Sequence, residues 1–270
     1  MPKLSRLRFV SIGHPNARMQ DLQLDFRDEQ GRPTDSTLWL RNGGGKSSIL
    51  NLFFALLRPG KREFLGGRAD SKRRNLEDYV LANDRSVVAA EWTLDAPKGV
   101  VELLPERFVT GVFYERAHGR EGLRRLFFSC LVREDLPEST LDGLPLFGVD
   151  AEAKSVRRTL SSFRQAWSEL HERAPQLRAT ATEVQIDWRN SLEQAGLDPD
   201  LYSYQLRMNM REGGADELFR FNSHEQFVDF LLELTTEPSH GDSICENIET
   251  FRKQLQRRKH ELLPDLQLST

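Results

Sequence analysis

Cysteine is scarce in this chain. Only Cys130 and Cys245 occur among 270 residues, and neither stands in a CxxC or a Cys/His metal-ligand spacing. That argues against a disulfide-held scaffold and a structural zinc site, and it fits a reducing compartment. Long apolar runs are also missing. The longest, such as residues 52–57, are far too short to cross a bilayer, and the start, Met1-Pro2-Lys3-Leu4-Ser5-Arg6, has no apolar signal segment. A soluble, cytoplasmic protein without a membrane partner is expected. Repeats and low-complexity tracts are absent as well. Charge is plentiful, at 29% of residues, and the 38% hydrophobic content is enough for one large domain or two modest ones. The net charge of −3 conceals an asymmetry: residues 1–75 hold 15 Lys and Arg against 7 Asp and Glu. A basic N-terminal part is suited to a polyanion such as nucleotide or DNA, and is equally what a solvated basic surface looks like.

Periodicity divides the chain. Residues 3–12 and 18–26 alternate apolar and polar, the second through Leu22, Leu24 and Phe26, and read as an antiparallel pair across Gly13-His14-Pro15-Asn16. After a Gln30-Gly31-Arg32-Pro33 loop, a short strand is expected over residues 37–40. From Lys46 the pattern becomes helical, with Ile49, Leu50, Phe53, Phe54, Leu56 and Leu57 apolar and Pro59-Gly60 ending the run. Residues 58–75 are basic, carrying Arg58, Lys61, Arg62, Arg68, Lys72, Arg73 and Arg74, and read as an exposed loop with a possible DNA contact. Strands are expected over residues 86–94, 107–114 and 124–132. Residues 133–150, rich in Pro, Gly and Asp, look like a boundary or insertion, and residues 151–195 have a helical, charged composition. Asp198 is placed as an N-cap with Pro199 at the first helical position. Ser223-His224-Glu225-Gln226 resembles a capping box opening an apolar helix at 227–234. A last helix, from about 242 to 263, has the composition of a coiled-coil start. These features suggest a lobe at 1–132, a mainly helical part at 133–240 and the start of an arm at 241–270.

The motif that carries chemistry is Leu40-Arg41-Asn42-Gly43-Gly44-Gly45-Lys46-Ser47, followed by Ser48. Between a strand and a helix, such a loop turns backbone N–H groups inward into an anion nest at a helix N-terminus. Gly43, Gly44 and Gly45 permit close backbone approach to phosphate, Lys46 reaches the β- and γ-phosphates, and the Ser47 hydroxyl coordinates Mg²⁺. ATP with Mg²⁺ is the expected ligand. The first glycine of the G-x-x-x-x-G-K-[ST] pattern is Leu40 here. No apolar strand ends in Asp-Glu: Val87-Val88-Ala89-Ala90-Glu91 runs on as Trp92-Thr93-Leu94, and Phe227-Val228-Asp229-Phe230 fits an amphipathic helix. A Leu-Ser-Gly-Gly signature is lacking, and Gly213-Gly214 reads as loop. The chain thus holds half of an ATPase site.

A P-loop near the N-terminus, preceded by two strands and followed by a long excursion and an outgoing helix, resembles the N-terminal half of an SMC-like, ABC-type ATPase head, the group of chromosome-segregation and DNA-repair ATPases. The resemblance covers nearly the whole chain in layout, and only the P-loop is specific at the level of residues. It implies an α/β fold of the P-loop NTPase class, with antiparallel N-terminal strands, a helical region and an outgoing coiled-coil-like helix. It places Gln205, in Leu201-Tyr202-Ser203-Tyr204-Gln205-Leu206, as a Q-loop glutamine touching Mg²⁺ or the attacking water, beside Lys46 as the second catalytic group. It implies a C-terminal head half bearing the missing motifs, a head-to-head dimer, DNA as partner, and a cytoplasmic or nucleoid-associated location. A stand-alone P-loop kinase or NTPase and a non-catalytic P-loop binding module are the alternatives.

Overall fold

The structure, a computed structural model, describes residues 2–15, 18–41, 44–59, 76–94, 106–116, 122–150 and 152–202, together with His224 and Val228. Residues 1–210 form one compact unit and residues 211–270 a second. Of the second unit only His224 and Val228 are described, and both are helical.

The first unit is built on a six-stranded antiparallel sheet in the order β2-β1-β3-β4-β5-β8. Its strands are β1 (Lys3–Ile12), β2 (Met19–Asp25), β3 (Arg85–Thr93), β4 (Arg107–Glu115), β5 (Arg124–Leu131) and β8 (Thr180–Thr182). The hairpin read from Leu22, Leu24 and Phe26 is present, with Leu7 opposite Leu24 and Phe9 opposite Leu22. Side chains alternate across a sheet, so each strand feeds two cores. Leu7, Phe9, Val88, Ala90, Trp92, Val112 and Phe127 fall in one core, whereas Val10, Val87, Ala89, Val109, Phe113 and Phe128 fall in the other. Burial on both faces explains the nearly unbroken apolar runs of β3 and β4, a pattern more usual in parallel sheets.

Helices cover both faces. On the first lies α1 (Lys46–Leu57), which buries Ile49, Leu52, Phe53 and Leu56. Beside it lies α3 (Gln185–Gln194), whose Trp188 stacks on Phe127 at 5.4 Å and donates its indole N–H to the Leu56 carbonyl at 3.0 Å. On the second face lies α2 (Leu160–Arg173). Thr159 caps it by accepting from the Ser162 N–H at 3.2 Å, and it buries Leu160, Phe163, Trp167 and Leu170 at helical spacing. A two-stranded ribbon, β6 (Phe147–Val149) with β7 (Ser155–Arg157), precedes α2. The chain becomes helical again at residues 199–202, where Asp198 accepts from the Asp200 N–H at 2.8 Å as the N-cap reading requires.

Three expectations are corrected. Residues 37–40 form no strand, because no neighbouring strand hydrogen-bonds to them among the described residues. Residues 133–150, read as a boundary or insertion, mark no boundary between units: they lie within the unit of residues 1–210, and Leu141, Leu144 and Leu146 are buried in the second core. The stretch 151–195 is not uniformly helical, since β7 and β8 interrupt it. A cluster of charges accounts for the second correction. Arg6, Arg8 and Glu91 occupy inward positions on the α2 face. Arg6 donates to Glu91 at 2.6 Å and Asp142 at 2.5 Å, and Arg8 donates to the carbonyls of Leu141 and Asp142. These contacts pin the segment to the sheet. No helix among the described residues is long and apolar enough to cross a membrane.

Candidate phosphate-binding site

The helix α1 forms because its apolar residues recur at helical spacing against the sheet, yet its N-terminus is left bare. The N-cap is Gly45, in the left-handed region at φ 90° and ψ 10°. Among the described residues no side chain caps the helix, and its first turn holds no acidic residue. The amide groups at that end therefore keep their partial positive charge facing outward, the arrangement that attracts anions. The preceding residue is equally constrained. The Gly44 N–H donates to the Arg41 carbonyl at 3.0 Å, and a Cβ at Gly44 would sit 2.9 Å from that same oxygen. Two of the three glycines thus have separate reasons: Gly45 for its left-handed φ and Gly44 for close backbone approach.

The charge at the mouth of the loop comes from Lys46. Its Nζ donates to the Leu40 carbonyl at 2.8 Å, so the chain closes on itself between the motif's first residue and its lysine. Only the backbone of Leu40 makes this contact. The Leu40 side chain packs instead against the first core. An ammonium carries three donors, so two remain for a ligand. Arg41, Gly44, Lys46 and Ser47 are exposed, and Ser48 is half-buried.

The structure thus brings together Leu40, Arg41, Gly44, Gly45, Lys46, Ser47 and Ser48. Asn42, Gly43 and Gln205 lie outside the described residues, as do Lys61, Arg62, Arg68, Lys72, Arg73 and Arg74 and the helix expected at 242–263. Arg58 is half-buried at the end of α1 and ion-paired with Asp200 at 3.4 Å. Val87 to Glu91 is an ordinary inner strand, and the Glu91 carboxylate is buried in its ion pair with Arg6. Among the described residues no group of three or more His, Cys, Asp or Glu side chains converges as a metal site. The part of the site that motif reading missed is the Leu40 carbonyl. The six-residue interval from Leu40 to Lys46 was its only trace in the sequence.

No family model and no curated protein matches the chain.

Proposed function

We propose that this chain binds the triphosphate of ATP with Mg²⁺ at the loop from Leu40 to Ser48, as half of an SMC-like, ABC-type ATPase head. The observation that supports this best is the closure of Lys46 onto the Leu40 carbonyl at an uncapped helix N-terminus. An unneutralised helix end, a backbone drawn tight at Gly44 and a lysine held across the opening together suit a polyphosphate. In this reading the amides at the start of α1 receive phosphate oxygens. Lys46 supplies its two remaining protons to the β- and γ-phosphates while Leu40 fixes its position, and Ser47 offers its hydroxyl to the metal. Bound Mg²⁺ neutralises phosphate charge. Gln205 is the proposed contact to the metal or the attacking water.

Hydrolysis needs more than a cradle. Phosphoryl transfer depends on positioning the nucleophile and on neutralising charge around the γ-phosphate. The sequence offers no strand ending in Asp-Glu and no signature loop. The chain is therefore proposed to hold ATP but turn it over slowly, until a C-terminal half and a second head complete the site for work on DNA in organisation, repair or defence. A steady-state ATPase assay on the 270-residue chain tests this, with Lys46→Ala as background. Turnover no faster than that background is expected. Brisk turnover abolished in the variant would move the assignment to a self-contained P-loop enzyme.

The metal role has its own test. Ser47→Ala should lower nucleotide affinity about tenfold in Mg²⁺ and much less in EDTA, because only the metal-bound state uses the hydroxyl. Equal losses in the two buffers would remove Ser47 from the metal site.

A further inference from the structure

A cavity of about 410 Å³ opens on the first-core face of the sheet and shares no lining residue with the phosphate loop. Strand register builds its floor. Phe108 stands opposite Leu131, Ser129 stands opposite Thr180, and the Leu94 N–H donates to the Glu106 carbonyl at 2.8 Å. Residues two apart on a strand share a face, so Glu106, Phe108, Ser129, Leu131 and Thr180 all lie on one side. The last turn of α3 and the Ala195-Gly196 that follows it form a wall. A Cβ at Gly196 would lie 3.5 Å from Pro2 Cγ, and Lys3 opposes Thr93, so this helix end comes down beside Leu94 and Glu106.

The cavity is charged with opposite sign at its two ends. At the β8 end stands Arg178, in the left-handed region at φ 50°, an uncommon conformation for a residue with a side chain. Its guanidinium bonds nothing among the described residues. Every other described arginine except Arg41 at the phosphate loop donates to a carboxylate or a carbonyl. Beside Arg178, the Ser129 and Thr180 hydroxyls bond each other at 2.9 Å. Two hydroxyls carry two protons and this bond uses one. Ser129 is only 2% exposed, so the arrangement that strands no buried proton has Ser129 donating and Thr180 keeping its own proton for the open side. At the other end the Glu106 carboxylate has no hydrogen bond or ion pair among the described residues. The C-terminus of α3 adds its negative partial charge there.

We infer that this cavity binds a free α-amino acid with an apolar side chain. Arg178 and the Thr180 hydroxyl receive the carboxylate, since a guanidinium fork matches its two oxygens. Glu106 and the end of α3 receive the ammonium, and Leu94, Phe108 and Leu131 receive the side chain. A ligand with one charge would leave one end of the cavity unanswered, whereas a zwitterion answers both. The volume is that of a small-molecule site. The inference needs no nucleotide, so its failure leaves the proposed ATP site standing, and the reverse.

Calorimetric titration of L-leucine and L-phenylalanine into the nucleotide-free chain should show saturable binding with a dissociation constant below about 1 mM. The compounds 4-methylpentanoate and 3-methylbutylamine keep the leucine side chain with one charge each, and should bind about tenfold more weakly or worse. Arg178→Gln and Glu106→Gln should each weaken leucine by about tenfold or more. Both side chains are exposed and unpaired, so the melting temperatures of the ligand-free variants should match that of the unaltered chain. Lys46→Ala should bind leucine undiminished. No binding of either amino acid up to about 10 mM overturns the inference. So do single-charge analogues that bind as tightly as leucine, and a folded Arg178 or Glu106 variant that keeps full affinity. Loss of leucine binding in Lys46→Ala would place the ligand at the phosphate loop and equally overturn it.

Discussion

Replacing Glu91 by alanine should cost the fold on the order of 3–5 kcal/mol, the usual consequence of removing one partner from a buried ion pair. Glu91 is fully buried in the middle of the sheet, with one carboxylate oxygen 2.6 Å from the Arg6 guanidinium and the other 3.5 Å from that of Arg107. The Arg6 side chain is itself only 10% exposed. Without the carboxylate, Arg6 is left with Asp142, whose side chain is 55% exposed and screened by water. The charge would then remain in the core largely uncompensated. Arg6 Nε and Glu91 Oε1 have no hydrogen-bond partner among the described residues, so the pair is incompletely satisfied even in the intact protein. For a domain whose total stability is about 5–15 kcal/mol, this is a large fraction. Glu91→Gln keeps the shape and an acceptor oxygen and should cost less, about 2 kcal/mol. Urea denaturation of the three proteins, compared at constant m-value, measures the series. A loss below about 1 kcal/mol in the alanine variant would mean that the ion pair is solvated in practice.

Lys46→Ala should reduce ATP affinity by about 30- to 100-fold, or 2–3 kcal/mol, the worth of charge-assisted hydrogen bonds from an ammonium to phosphate. Stability should hardly move, because Lys46 is exposed and its protein partner is a single backbone oxygen. This separates a binding effect from an unfolding effect. Lys46→Arg should fail too, since a planar guanidinium cannot replace a compact ammonium that bonds Leu40 and two phosphates from one point. Calorimetric titration of Mg²⁺-ATP into the three proteins, alongside their melting temperatures, reads both quantities. Undiminished affinity in the alanine variant would dismiss the loop as a phosphate site.

Much of the fold could be read locally. The five long strands were visible, two from alternation at residues 3–12 and 18–26 and three from short apolar runs rich in Val and Phe at residues 86–94, 107–114 and 124–132. The helix α1 was visible because Ile49, Phe53 and Leu56 recur at helical spacing. The Asp198-Pro199 helix start was equally local, since a capping side chain acts on its own next turn. The glycine loop belongs with these features, because glycine's freedom to take left-handed φ at Gly45 and the adjacency of Lys46 and Ser47 are covalent facts.

What the sequence could not show was decided by partners far away along the chain. Residues 37–40 have strand alternation, but a strand exists only when another segment supplies its hydrogen bonds, and no described residue does so. Residues 133–150 read as a boundary because Pro, Gly and Asp dominate them. Arg6 and Arg8, more than 130 positions earlier, draw this segment onto the sheet and leave Leu141, Leu144 and Leu146 inside. The three-residue strands β7 and β8 are too short for any period to register, and pairing alone makes β8 the edge of the sheet beside β5. Glu91 looked like one more polar residue in a strand until register placed it opposite Arg6. The sequence by itself determined the local elements and the chemistry of the loop, because propensity, capping and periodicity act over a few residues. Tertiary structure decided which charges are buried together, which carbonyl holds Lys46 and which strand forms the sheet's edge, because those depend on contacts between segments that only folding brings into reach.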